Sequence, residues 1–264
     1  NENNSKNWAT GYDVPAVRDG KMTLEMPANG SVQGMQGFIF NTRKNKFKDL
    51  KLRQAFNHAY DFEWANNTLF YGQYVRTDSY FDNSELAATG FPSTEELELL
   101  TPLKDQLPVS VFTQEYKNPE NLDPNALRQN LRKAKKLLEE AGWNVTNGKL
   151  QKNGQILEVE FLLVQPAFER IVAPFIRNLE KLGITANIRT IDPTQYQNRV
   201  MNYDFDIIVH SFGQSLSPGN EQRNYWSSEN ADRPGGRNLI GIKNPAIDKL
   251  VEHIIFAPDR AAQI

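Results

Sequence analysis

The chain has 264 residues, with 30 basic and 32 acidic side chains that give a net charge of −2 at pH 7. A hydrophobic content of 39% is enough for the core of one large or two modest domains, and the charge balance provides no overall attraction to nucleic acid. The absence of cysteine excludes disulfide scaffolds, thiolate metal sites and thiol nucleophiles.

The first half of the chain predicts one strand and two helices, followed by a long irregular stretch. Apolar residues predict a strand over residues 37–41, and helical spacing predicts a helix over 48–70 with a break at residues 60–61. The stretch 71–124 is rich in Pro, Asn, Ser and Tyr. It contains one short acidic helix, for which Ser93 and the glutamate three residues later form a capping box.

The second half alternates strands and helices. A helix capped by Asp123 ends at Gly142, and its basic outer face is typical of a solvated surface. Two Asn-Gly dipeptides then predict hairpins. The predicted elements that follow are a strand over 157–162, a helix over 166–182, a strand over 184–191, a helix over 192–200 and a strand over 205–209. This order is typical of parallel βαβ units and indicates the α/β class.

A polar, aromatic loop is predicted to leave the last of these strands. Ligands of open α/β sheets bind beyond the carboxyl ends of the strands, so this loop is the first candidate for a ligand site. A plain surface loop fits the pattern equally well. The candidate ligand-binding residues are His210, Phe212, Gln214, Ser215, Glu221, Arg223 and Trp226.

The same segment offers an alternative, a serine hydrolase that uses Ser215 or Ser217. Residues 213–217 differ from a G-x-S-x-G nucleophile elbow at the last position, where Ser217 replaces the glycine needed for close strand-to-helix packing. No histidine is placed to complete a triad. The three histidines lack metal-ligand spacing, so we expect no metal and no cofactor.

Four segments in chain order resemble the family 5 extracellular solute-binding proteins, which are receptors of bacterial ABC importers. The best match is residues 134–143, which read AKKLLEEAGW. The other three are residues 47–61, 203–206 and 244–250. Residues 69–74 and 214–222 are similar to the YejA-like branch of the family in particular.

The resemblance implies a lobe like those of type II periplasmic binding proteins, with a mixed sheet and flanking helices. Residues 1–36 would be an edge or hinge of a first lobe, 37–243 the C-terminal ligand-binding lobe, and 244–264 a truncated helix that returns towards the first lobe. The chain would then be about half of a monomeric periplasmic receptor. That receptor would capture short peptides or peptide-like ligands for an inner-membrane permease.

One departure from the family pattern affects the expected site. Many peptide-binding members carry an aspartate after a Gly-Trp pair, and it binds the α-ammonium of the peptide. Here Ser215 stands at about that position. Glu221 is the only acid in the loop, and we therefore expect it to supply the charge.

Overall fold

The structure is a computed structural model and describes residues 5–264. Its strands are β1 (Met35–Phe40), β2 (Asn144–Thr146), β3 (Lys149–Lys152), β4 (Gln155–Ile156), β5 (Glu158–Leu163), β6 (Thr185–Thr190) and β7 (Ile207–Phe212). Its helices are α1 (Ser5–Thr10), α2 (Pro15–Arg18), α3 (Leu50–Ala59), α4 (Phe62–Leu69), α5 (Thr94–Leu100), α6 (Ser110–Thr113), α7 (Ala126–Glu140), α8 (Glu169–Lys181), α9 (Pro193–Met201), α10 (Glu221–Trp226) and α11 (Pro245–Ile255). Among the described residues, no helix is both long and apolar enough to cross a membrane.

The central sheet has four strands in the order β1-β7-β5-β6. Strands β5, β6 and β7 run parallel, because helices α8 and α9 make the crossovers between them. Strand β1 comes from far earlier in the chain and pairs antiparallel with β7, from Met35 opposite Phe212 to Phe40 opposite Ile207. The sheet is therefore mixed. A second sheet, β2-β3-β4, is a small meander before β5.

The larger core lies on one face of the sheet, under helices α3, α7 and α8. Alternate residues of β5 point into it, because successive strand residues face opposite sides. Phe161 is fully buried there and meets Phe38 and Phe175 edge to face, with ring centroids 5.6 Å apart in both pairs. The apolar stripes of the helices complete this core, as their helical spacing predicts.

The opposite face carries a smaller core, which positions the candidate site. Leu162, Ile208 and Phe212 point to this side and pack with Phe205, Tyr225 and Leu239. The partly buried Tyr196 and Val200 of α9 cover part of it. This thinner cover leaves room for a cleft beside β7.

Most predicted elements are present, and the differences lie at their ends. The predicted break between α3 and α4 occurs at residues 60–61, and the capping box of α5 forms in both directions at 2.7 and 3.1 Å. Three predictions were wrong in detail. Helix α7 begins at Ala126 rather than beside Asp123, the helix expected over residues 244–264 spans only Pro245–Ile255, and β7 spans Ile207–Phe212 rather than 205–209.

Candidate functional site

A cleft lies at the carboxyl ends of β5 and β7, and residues of both cores line it. It consists of two adjoining cavities that share Tyr196, His210 and Ser211. Parallel strands present their carboxyl ends at one sheet edge, where ligands of open α/β sheets bind. The sheet topology therefore places this cleft where a ligand site is expected.

The first cavity has a volume of about 270 Å³. Gln165 reaches it because it is the second residue after β5, and Gln36 reaches it because β1 places it opposite Ser211 in the ladder. Phe168 and Val164 add apolar surface. The cavity thus combines amide groups with an aromatic ring, which is the mixture typical of small-molecule and peptide pockets.

The polar side chains of this cleft have no partners of their own. Within residues 5–264, the side chains of Gln36, Gln165, Tyr196, His210 and Ser211 make no hydrogen bond to protein. Amides, hydroxyls and imidazole can each both donate and accept. Their hydrogen-bonding capacity is therefore available to a ligand.

His210 is the candidate residue that lines both cavities. Burial lowers its pKa from the ordinary value of 6.5, and the positive charge of Arg237 lowers it further. Its ring meets that of Phe212 at a centroid distance of 4.9 Å. Both effects favour the neutral imidazole, which has one donor and one acceptor nitrogen.

Phe212 and Trp226 belong to an aromatic cluster at the end of β7. Phe212 is fully buried, and its ring lies 5.6 Å from Tyr80 and 4.9 Å from Trp226. Burial, with a smaller contribution from Tyr116, raises the pKa of Tyr80 to about 12. Because Phe212 has no exposed surface, it packs behind the wall of the cleft and lines neither cavity.

Gln214 is bound to this cluster through an amide pair. The Nε2 of Gln222 donates to its Oε1 at 2.6 Å, and the indole Nε1 of Trp226 donates to the Oε1 of Gln222 at 2.9 Å. Gln222 is buried, so these bonds fix the loop against the aromatic rings. The loop that follows β7 is consequently ordered by its own side chains.

Glu221 also bonds to its own loop. Its Oε1 accepts from the backbone N–H of Gly219 at 2.7 Å and from Nε2 of Gln222 at 3.1 Å. Burial by itself would raise the pKa of Glu221, but these hydrogen bonds and that of its own N–H outweigh it and lower the pKa. The lowered pKa favours the charged carboxylate. Glu221 is bound to the Gly219 turn and does not line either cavity.

Arg223 lies between two helices rather than in the cleft. Its Nε and Nη2 both donate to the carboxylate of Glu252 on α11 at 2.6 Å, and its guanidinium lies 5.4 Å from the ring centroid of Phe256. The hydrogen bond with Glu252 raises the pKa of Arg223. This geometry gives Arg223 a role in joining α10 to α11.

The geometry gives the hydrolase alternative no support. Ser215 is exposed and its Oγ accepts from the backbone N–H of Ser217. In the described part of the chain, no histidine is hydrogen-bonded to either serine, so a nucleophile and base are not assembled. No group of three or more His, Asp or Glu residues among residues 5–264 could hold a metal ion.

Sequence reasoning missed several residues of the cleft. Gln165 could have been found by applying the strand-end rule to β5 as well as to β7. Tyr196 lies on the short helix after β6, to which the sequence analysis assigned no role in the site. Gln36 and Arg237 carry no local signal, because only the tertiary structure brings them to β7.

Comparisons with known proteins found relatives that match along nearly the whole chain. The probable peptide-binding protein YejA of Agrobacterium fabrum is 48% identical over the whole of this chain, and the match covers 44% of that protein. The peptidoglycan-binding protein YepA of the same organism is 37% identical over 96% of this chain and 42% of its own length. The chain thus spans somewhat less than half the length of these relatives.

A solved structure shares the fold. The oligopeptide-binding protein AppA of Bacillus subtilis, in complex with a nonapeptide, superposes with a TM-score of 0.67 at 22% identity, over 98% of this chain and 47% of that one. The sequence model described as "Bacterial extracellular solute-binding proteins, family 5 Middle" matches residues 3–233. The chain therefore belongs to the bacterial extracellular solute-binding proteins of family 5.

Proposed function

We propose that this chain forms most of one ligand-binding lobe of a substrate-binding receptor for a bacterial ABC importer, and that the receptor captures short peptides. Two kinds of relative support this assignment: YejA of A. fabrum is named a probable peptide-binding protein, and AppA binds a nonapeptide. The mechanism is capture and delivery, without chemical conversion of the ligand.

The observation that carries the proposal is the set of unpartnered polar side chains in the cleft. They come from four separate elements or loops and converge on one space beside β7. Peptide backbones present alternating donors and acceptors, and amide and hydroxyl side chains can bond to either. Recognition through the backbone tolerates different ligand sequences, while Phe168 and Tyr196 provide surface for apolar side chains.

The rest of the receptor would close over this cleft. Closure follows if the ligand binds the closed state more tightly than the open state, because only such a difference shifts the population. The predicted lobe boundaries at residues 36 and 243 belong to this proposal, as do the periplasmic location, the monomeric state and the delivery of ligand to an inner-membrane permease.

Calorimetric titration of the complete receptor with short peptides tests the proposal. We expect Gln165→Ala to weaken peptide binding roughly fivefold, because one net hydrogen bond contributes about 1 kcal/mol. Gln155→Ala is the matched control, since this exposed residue of β4 lies before the amino end of β5, away from the cleft. The proposal fails if no peptide binds, or if the two variants bind peptides equally well.

A further inference from the structure

The second cavity differs from the first in being mainly apolar with one charge. It has a volume of about 420 Å³ and lies between α9 and residues 225–239, with β7 as its floor. Its apolar lining comes from the residues Tyr196, Val200, Ile208, Tyr225 and Leu239. Of the residues described as lining either cavity, Arg237 is the one with a full charge at pH 7.

The wall that carries Arg237 is held rigidly. Asn238 is fully buried, and its Oδ1 accepts from the backbone N–H groups of Gly241 and Ile242 at 2.9 Å. Its Nδ2 donates to the carbonyl of Ser227 at 2.9 Å. Arg43 donates to the carbonyls of Asn238 and Leu239 and also to that of Ala231. The cavity is consequently formed before any ligand arrives, which lowers the entropic cost of binding.

The side chain of Arg237 has no internal partner. Within residues 5–264 its guanidinium takes part in no ion pair and no hydrogen bond. Asp232, the acid nearest to it in sequence, is already paired with Lys243. The neighbouring imidazole of His210 offers no negative charge. The exposed Arg237 therefore places an unpaired positive charge at the rim of a mainly apolar cavity.

We propose that this cavity binds an acidic group of the ligand, with a carboxylate paired to Arg237 and its hydrocarbon stem packed between Tyr196 and Val200. Guanidinium and carboxylate groups form bidentate pairs, and these strengthen once a ligand excludes water from the rim. The inference rests on the proposed function, and it gives the receptor a preference among peptides. The carboxylate can come from an acidic side chain or from the peptide C-terminus.

Three peptides distinguish these sources in calorimetric titrations of the complete receptor at low salt. They are Ala-Gln-Ala amide, Ala-Glu-Ala amide with a side-chain carboxylate, and Ala-Gln-Ala free acid with a terminal carboxylate. We expect at least one of the two acids to bind about tenfold more tightly than the neutral amide. We expect Arg237→Gln to abolish that preference without changing affinity for the neutral amide.

Arg233→Gln is the matched control. Arg233 is exposed, lies outside the lining of the cavity, and has no side-chain ion pair or hydrogen bond among residues 5–264. It should keep the full preference for acids. Equal binding of all three peptides by the wild type, or loss of the preference in both variants, overturns the inference and leaves the proposed function standing. If none of the peptides binds, both proposals fail.

Discussion

Arg43 connects the end of β1 to the wall of the second cavity, and its replacement gives a quantitative test of the structure. Its Nε donates to the carbonyl of Ala231 at 2.9 Å, Nη1 to that of Leu239 at 3.1 Å and Nη2 to that of Asn238 at 2.7 Å. The guanidinium also stacks on Tyr203, 3.6 Å from the ring centroid. One side chain therefore satisfies three carbonyls of buried residues.

The expected loss of stability follows from these contacts. A buried carbonyl left without a partner costs about 1–3 kcal/mol, and the stacking contact adds about 0.5–1 kcal/mol. The Arg43 side chain is 18% exposed, so water can reach part of the vacated space and reduces the sum. We expect Arg43→Met to lower the free energy of unfolding by about 3 kcal/mol. Arg43→Lys keeps the positive charge but lacks the several N–H donors of the guanidinium. We expect it to lower the free energy of unfolding by about 1.5 kcal/mol.

Urea denaturation followed by tryptophan fluorescence measures this difference. The control is Lys48→Met, because Lys48 is exposed and its ammonium makes no ion pair or hydrogen bond among residues 5–264. Its replacement should change stability by no more than about 0.5 kcal/mol. If Arg43→Met matched this control, the three carbonyls would be satisfied in some other way, and the account of the rigid wall would be wrong.

Two further predictions concern the strand end at the cleft and the response to acid. A Cβ added at Gly34 would lie 2.0 Å from the carbonyl oxygen of Phe212, whereas one added at Gly37 meets nothing within 4 Å. Gly34→Ala should therefore cost about 2 kcal/mol in urea denaturation and Gly37→Ala almost nothing; equal stability of the two variants would refute this close approach. Burial lowers the pKa of both His58 and His210, so the folded state favours their neutral forms. The stability they contribute is complete above their ordinary pKa of 6.5 and falls as the pH drops below it. Urea midpoints at pH 7.5 and 5.5 should differ less in the double variant His58→Gln, His210→Gln, and an unchanged difference would contradict the assignment.

Local sequence patterns were enough to predict most of the helices and strands of this protein and to identify its family. The helical spacing of Leu52, Ala55 and Phe56 requires a buried helical stripe, and these residues are fully buried. The AKKLLEEAGW segment and the three other family segments lie in the order expected of a family 5 solute-binding protein. Such signals are readable because they depend on residues within one or two turns of each other.

The tertiary structure decided where β7 ends. Residues 210–212 read as the start of a loop because their polar side chains break the apolar run. They are strand because β1 pairs with them, and Met35, Gln36 and Gly37 lie opposite Phe212, Ser211 and His210. This pairing joins residues that are about 175 positions apart in sequence, a separation that no local pattern encodes.

The same long-range contacts decided the membership of the site. The sequence predicts Glu221 and Arg223 as charged ligand-binding residues. In the structure, Glu221 already accepts a hydrogen bond from the backbone of Gly219, and Arg223 is already paired with Glu252. Gln36 reaches the cleft only because β1 pairs with β7. Arg237 reaches it only because the segment after α10 folds back beside β7. A sequence states which side chains can bind a ligand. Whether they are free to do so depends on the partners that folding gives them.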